Sequence, residues 1–143
     1  MKNEFMQKAL ELAKQTETDI PVGAVVVKNG EIIASAFNTK ENDNNITSHA
    51  EILALCRASK ILNNWRLDGC DIYVTLEPCP MCAWAIMQSR IKNIYFGSYD
   101  TKYGAFSKIK LEQYSDYKPA IYGGICEPEC DEILNEFFKR IRA

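Results

Sequence analysis

The order in which helix and strand patterns follow one another constrains the fold of this chain more than any other feature. Apolar residues at helical spacing predict helices over residues 2–15, 48–62, 81–90 and 129–142. Short apolar and β-branched runs predict strands over residues 22–27, 31–37, 71–76, 94–96 and 120–123. After an opening hairpin, marked by Asn29-Gly30, strands alternate with helices. This order predicts an α/β protein with a mixed sheet and helices on both faces.

Segment 38–45 is polar, and segment 97–113 is irregular. Neither shows the apolar spacing of a helix or of a strand, so we expect loops there. With 143 residues and no repeat or linker, the chain suits one domain over residues 1–143. Its opening lacks the apolar core of a signal peptide, and no segment has the apolar length of a membrane span. We therefore expect a cytoplasmic protein without a membrane partner.

Six cysteines are more than a domain of this size needs for folding. In a reducing compartment, cysteines serve as buried small residues or as metal ligands more often than as disulfide partners. Cys56 and Cys70 fit the first role and are expected to be core thiols.

Two short motifs stand at the predicted starts of helices. They are His49-Ala50-Glu51, with the only histidine of the chain, and Pro78-Cys79-Pro80-Met81-Cys82. One histidine and two cysteines with an open fourth position make a catalytic zinc site, whereas a structural site needs a fourth protein ligand. Pro80 at a first helical position places both sulfurs at a helix N-terminus, which favours thiolates.

Each motif also has a plainer interpretation. Ser48 and Glu51 have the spacing of a capping box, and a lone Cys-x-x-Cys is compatible with a redox pair. Cys126 and Cys130 could join the motif cysteines in a structural zinc site, but the histidine and the glutamate would then have no role.

Taken together, the two motifs match the HxE and PCxxC signature of zinc deaminases. In that chemistry zinc activates a water molecule. Glu51 would carry a proton from that water to a ring nitrogen of the base, and later to the departing amine.

Nearly the whole chain resembles the bacterial tRNA-specific adenosine deaminase family. The similar segments are 21–27, 48–52, 73–83, 89–91 and 136–142. The resemblance implies a cytidine deaminase-like three-layer α/β/α sandwich with a five-stranded mixed sheet, usually as a homodimer. It implies one Zn²⁺ per subunit on His49, Cys79 and Cys82, with Glu51 as the catalytic residue. The implied reaction converts the wobble adenosine (position 34) of a tRNA anticodon stem-loop to inosine.

The same resemblance implies residues that bind the substrate. Asn38 would hold the target nucleoside, while Val22 and Ala50 would line the base pocket and offer backbone hydrogen bonds. Asp100 would lie near the ribose of the preceding nucleotide.

A basic C-terminal helix end is the last feature that the resemblance assigns to RNA. Lys139, Arg140 and Arg142 would contact the tRNA backbone, although cations also stabilise a helix C-terminus without any RNA. The net charge of −2 excludes a uniformly basic surface, yet residues 90–118 hold six bases against three acids. Aromatic residues between these bases suit an unstacked RNA loop.

The chain departs from the family pattern at Trp84, which replaces a small residue, and at 104–108, which lacks the usual Gly-Ser. Two other functions therefore stay open. One is a deaminase of free bases or nucleosides such as cytosine or guanine, against which Asn38 and the basic helix end argue. The other is a non-catalytic zinc-binding subunit that helps a partner bind tRNA, against which Glu51 argues.

Overall fold

The computed structural model describes residues 2–142 and contains a five-stranded sheet. Its strands are β1 (Gly23–Lys28), β2 (Glu31–Phe37), β3 (Cys70–Leu76), β4 (Asn93–Ser98) and β5 (Ala120–Tyr122). They lie in the order β2-β1-β3-β4-β5. Strand β1 pairs antiparallel with β2 and β3, whereas β3, β4 and β5 pair in parallel. The predicted mixed sheet is confirmed.

Helices cover both faces of this sheet. They are α1 (Lys2–Ala13), α2 (Lys40–Asp43), α3 (Ala50–Leu62), α4 (Pro80–Gln88), α5 (Ala105–Lys108) and α6 (Glu127–Arg142). Because side chains alternate along a strand, Val26 packs with α3 and α4 on one face, while Val25 packs with α1 and α6 on the other. This arrangement is the three-layer α/β/α sandwich that the family resemblance implied.

Two segments expected as loops contain short helices. Helix α2 interrupts 38–45, and 97–113 holds α5 and a 3₁₀ turn at Leu111–Gln113. Helix α2 buries no residue, so it has no apolar periodicity from which to predict it. A hydroxyl of Thr39 donating to Asp43 at 2.7 Å and a left-handed Asn44 stabilise it instead.

The starts of α3 and α4 lie near the C-terminal end of β3. The backbone N–H of Glu77, directly after β3, donates to the carbonyl of Ser98 at the end of β4, at 2.8 Å. Crevices outside the carboxyl ends of parallel strands are common ligand sites in α/β proteins. No helix within residues 2–142 is both long and apolar enough to cross a membrane.

Candidate metal and nucleoside site

The two helix starts place the predicted metal ligands next to one another. His49 is the N-cap residue of α3, and Cys79 is the N-cap residue of α4, with Pro80 in its first turn. The Nδ1 atom of His49 lies 3.4 Å from the sulfur of Cys82 and 3.8 Å from that of Cys79. Sequence positions thirty residues apart are thus joined by the packing of two helix N-termini.

These three side chains fit a zinc ion. With usual zinc–ligand distances, a nitrogen and a sulfur on a tetrahedral zinc are separated by about 3.6 Å, close to the separations seen here. The three donor atoms all lie within 4.8 Å of one another. Within residues 2–142, no other group of at least three histidine, cysteine or acidic side chains has this geometry.

The capping-box interpretation of Ser48 and Glu51 is wrong. The N-cap position is His49, with an extended backbone, and its side chain makes no capping hydrogen bond. Ser48 lies one residue too early to take the cap position. The Glu51 carboxyl is therefore not used as a cap; it lies beside the thiol of Cys82 and lines the adjacent cavity.

Burial sets the protonation of Glu51. The residue is 4% exposed, and this loss of solvent raises the pKa of its carboxyl to about 7. A carboxyl with a pKa near neutrality can accept a proton and then donate it under physiological conditions. The environment thus suits a proton carrier.

The two thiols are strongly coupled. A hydrogen bond from the thiol of Cys82 lowers the pKa of Cys79 to about 4. The same hydrogen bond, together with burial, raises the pKa of Cys82. The hydrogen bond to Cys79 also raises the pKa of His49. One thiolate is thus already stabilised at neutral pH, and thiolates are the form in which cysteine binds metals.

A cavity of about 460 Å³ opens beside these groups. Its lining includes Val22, Asn38, His49, Glu51 and Asp100. The structure therefore brings three of the predicted substrate-binding residues, Val22, Asn38 and Asp100, to the carboxyl of Glu51. Their contact with substrate stays a prediction.

Asn38 connects the strand side of the cavity to the start of α3. Its Oδ1 accepts a hydrogen bond from the backbone N–H of Ala50 at 2.7 Å, and its Nδ2 donates to the carbonyl of Ile20 at 3.0 Å. Its own backbone N–H donates to the carbonyl of Val22 at 3.1 Å. The backbone groups predicted to face the base are thus bonded to Asn38, and Ala50 is fully buried.

The basic helix end lies at another cavity. Lys139 and Arg140 line a cleft of about 490 Å³ together with Lys14 and Pro21, between the end of α1 and α6. Arg142 is exposed in the last turn of α6. Since Ile20 and Val22, the neighbours of Pro21, line the first cavity, the two cavities share this segment.

Several cysteine assignments need correction. Cys56 is exposed and is not a core thiol, whereas Cys70 is buried as predicted. Cys130 packs against α1 and the opposite face of the sheet, in the cluster that contains Met6 and Val25. The alternative structural zinc site built from Cys126, Cys130 and the motif cysteines is therefore wrong.

Glu77 is a residue of this site that the sequence did not predict. Its side chain is 2% exposed, yet it lines the cavity that contains Glu51. The one available signal was its position, a carboxylate between an apolar strand and a helix start. Such a residue is either solvated or held by several hydrogen-bond donors, and sequence alone does not tell which.

Comparisons with known proteins agree with this geometry. Residues 1–98 match the family model described as "Cytidine and deoxycytidylate deaminase zinc-binding region". A tRNA-specific adenosine deaminase of Bacillus subtilis (strain 168) is 41% identical over 143 aligned positions, covering 96% of this chain and 89% of that protein. Its counterpart in Aquifex aeolicus (strain VF5) is 39% identical and covers 99% and 96%.

Solved structures are similar as well. A structure from a study of "A-to-I editing by tRNA:A34 deaminases at the wobble position of transfer RNA" superposes with a TM-score of 0.87 at 40% identity. That match covers 92% of this chain and 99% of the other. A guanine deaminase from Bacillus subtilis has a TM-score of 0.66 at 36% identity, covering 82% and 77%.

Proposed function

We propose that this chain, which belongs to the cytidine and deoxycytidylate deaminase family and to its tRNA-specific adenosine deaminases, deaminates adenosine to inosine at wobble position 34 of a tRNA anticodon loop. The observation that carries the proposal is the position of Glu51 beside the His49, Cys79 and Cys82 cluster in a nucleoside-sized cavity. The protein is a zinc-dependent hydrolase.

The first part of the mechanism is the metal site. His49, Cys79 and Cys82 would hold one Zn²⁺ per subunit, because their donors have zinc chemistry and tetrahedral separations. Zinc bound there supplies a hydroxide nucleophile at neutral pH by lowering the pKa of water. This use of the cysteine pair replaces the redox interpretation.

Glu51 moves the protons. Its carboxylate takes a proton from water, and the acid gives that proton to a ring nitrogen of adenine as oxygen adds to the ring. Glu51 then transfers the remaining proton of the added oxygen to the amino group, the bond from the ring carbon to that nitrogen breaks, and ammonia leaves. Water and adenosine thus become inosine and ammonia, and the carboxyl ends in its starting form.

The other predicted residues would orient the substrate. Val22 and Ala50 would line the base pocket, Asn38 would position the target nucleoside, and Asp100 would lie near the preceding ribose. The support for these roles is position, since Val22, Asn38 and Asp100 line the cavity and Asn38 contacts Ala50.

The cleft at the end of α6 would bind RNA phosphates. Lys139 and Arg140 line it with Lys14, and Arg142 follows in the last turn. Three cations line the cleft against one acid, Glu136, and Arg142 is a fourth cation beside it. This excess of positive charge at a shared wall of the nucleoside cavity suits an RNA backbone that continues from the bound nucleotide.

We further propose that residues 1–143 form a single domain, which acts as a homodimer in the cytoplasm. An apolar groove of about 540 Å³ along α3 and α4 includes Ile52, Cys56 and Trp65. Trp65 is 61% exposed, which is unusual for the largest apolar side chain unless another surface covers it. The proposed occupant of this groove is a second copy of the chain.

The activity is tested by incubating the zinc-loaded protein with tRNA that carries A34, with the same tRNA carrying G34, and separately with adenosine, cytosine and guanine. We expect inosine at position 34 and little ammonia from the free compounds. Product from the free compounds alone would contradict the proposal and favour the base deaminase alternative, which the similarity to a guanine deaminase supports.

A further inference from the structure

Glu77 is a second buried carboxylate at the nucleoside cavity, and the proposed mechanism does not use it. It stands between the end of β3 and Pro78, and its side chain is 2% exposed. Burying a carboxylate is costly unless hydrogen-bond donors replace its water. The identity of those donors therefore indicates what this residue does.

All side-chain partners of Glu77 lie on one loop, residues 100–107. Its Oε1 accepts from the backbone N–H of Asp100 at 3.1 Å, and its Oε2 accepts from the backbone N–H of Ser107 at 2.9 Å. The Ser107 hydroxyl lies 2.9 and 3.0 Å from the two carboxylate oxygens. One carboxylate thus holds both ends of the loop, through charge-assisted hydrogen bonds.

The loop also packs closely on this carboxylate. A Cβ atom at Gly104 would overlap with the carboxyl group of Glu77, so a glycine is required for the approach. The backbone N–H of Ala105 donates to the carbonyl of Pro78 at 2.9 Å, which ties the loop to the segment that precedes Cys79. The loop is therefore fixed relative to the metal ligands.

Between its two tied ends the loop carries two residues that line the nucleoside cavity, Asp100 and Tyr103. The Asp100 carboxylate is itself positioned, because it accepts from the backbone N–H groups of Lys102 and Tyr103 at 3.0 and 2.9 Å. Tyr103 is 59% exposed at the cavity, with the Nζ of Lys102 5.2 Å from its ring centroid on one side, so the other side of the ring could stack on an unpaired base.

We propose that Glu77 is a positioning residue for the substrate: its buried carboxylate holds the 100–107 loop as one wall of the cavity and so sets where Asp100 and Tyr103 meet the bound nucleotides. This inference rests on the proposed function, because the bound nucleotides are taken to be those of a tRNA. Glu77 does not touch the reacting atoms, so its loss weakens substrate binding more than the chemical step.

Ser107 attaches the loop to Glu77 through both its backbone N–H and its hydroxyl. It lies in the 104–108 segment that departs from the family pattern, and its hydroxyl adds a donor that a glycine would lack. Phe106, next to it, and Trp84 both pack against the buried cluster formed by Ala83, Met87, Ala105 and Leu111. The two sequence departures thus lie at the same cluster.

The main test is Glu77→Gln, which keeps the shape of the side chain. It replaces one carboxylate oxygen by an NH₂ group, so that a donor then faces the backbone N–H of Asp100 or Ser107. For A34 tRNA we expect KM to rise about tenfold or more, and kcat to change less than about threefold. Hydrogen exchange of the Asp100 and Ser107 amides should become faster. Zinc content should stay at one per chain.

Asp71→Asn is the matched control. It makes the same carboxylate-to-amide change near the other end of β3, where Asp71 accepts a hydrogen bond from Asn93 at 2.8 Å. KM and loop exchange should equal those of the wild type. If Glu77→Gln does not fold, Ser107→Ala replaces it, with a smaller rise of KM, about two- to fivefold, and faster exchange in the same loop.

Unchanged KM and unchanged loop exchange in these variants would overturn the proposal. So would a fall of kcat and zinc content at constant KM, because Glu77 would then only support the metal site. If the wild type does not deaminate tRNA, the proposed function fails by itself, and the exchange rates of the two amides still decide whether Glu77 holds the loop.

Discussion

Two buried glutamates at one cavity have different surroundings and different roles. Glu51 has few hydrogen-bond donors to replace its lost water, so burial raises its pKa to about 7 and it can exchange protons. Glu77 faces two backbone N–H groups and a hydroxyl, which occupy its oxygens as acceptors. Environment, and not residue type, separates the proposed proton carrier from the proposed positioning residue.

The role of Glu51 is tested by Glu51→Gln. We expect the variant to keep about one zinc per chain, measured by elemental analysis, because the side chain is not a ligand. Turnover of A34 tRNA should fall by about 10²- to 10⁴-fold, the usual contribution of a general acid–base group.

The control for this change is Glu11→Gln, on the exposed face of α1, where Glu11 pairs with Lys8 at 3.4 Å. It should leave turnover and zinc unchanged. Loss of zinc from the Glu51 variant would mean that Glu51 is a ligand, and the assignment would be wrong.

Helix starts are the elements that build the metal site. Extended residues at the cap positions, His49 and Cys79, place their side chains beyond the first turn of α3 and α4. Pro80 favours that geometry at α4 because its ring suits the first turn and removes an unpaired N–H. Local sequence therefore predicted the starts of α3 and α4 to within two residues, although it placed the cap of α3 at Ser48. Helices α2 and α5 were missed because they bury at most one residue each.

Aromatic packing between the sheet and α1 leads us to expect that the protein loses stability at high pH. Tyr73 of β3 stacks on Tyr95 with ring centroids 4.5 Å apart and contacts Phe5 of α1. Burial raises the pKa of Tyr73 to about 12 from a usual value near 10. The stabilisation that the neutral Tyr73 side chain contributes is fully present below pH 10. It is lost as the pH rises from 10 to 12, because this tyrosine ionises in the unfolded chain at a lower pH than in the folded one.

The measurement compares urea unfolding of the wild type and Tyr73→Phe at pH 8 and pH 12. The free energy of unfolding of the wild type should fall by up to about 3 kcal/mol more than that of the variant over this range. An equal fall in both proteins would mean that ionisation of Tyr73 is not coupled to unfolding.

At the scale of the whole molecule, two cavities share the 20–22 segment, one lined by the Glu51 carboxyl and one by basic side chains. Replacing Lys139, Arg140 and Arg142 together by glutamine should lower the slope of log Kd for tRNA against log salt concentration by about 2 to 3. Deamination of bound tRNA at saturation should change little. A slope equal to that of the wild type would exclude this helix end from the RNA interface.

The groove along α3 and α4 predicts the oligomeric state. Trp65→Glu should shift the protein from dimer to monomer in analytical ultracentrifugation, with a Kd at least about 30-fold weaker, as expected for loss of an aromatic anchor. Tyr114→Glu is the control, because Tyr114 is 71% exposed but lies outside this groove. A Trp65 variant that stays dimeric would place the interface elsewhere.

The sequence by itself predicted the order of the five strands and the four longer helices and the position of both motifs at helix starts, because these depend on local periodicity and turn chemistry. The zinc donor set followed from the two motifs taken together. Only the tertiary structure decided that Glu51 does not cap its helix, that Cys130 packs on the opposite face, and that Glu77 holds the 100–107 loop. Those outcomes depend on which distant segments meet when the layers pack, and no local pattern encodes that.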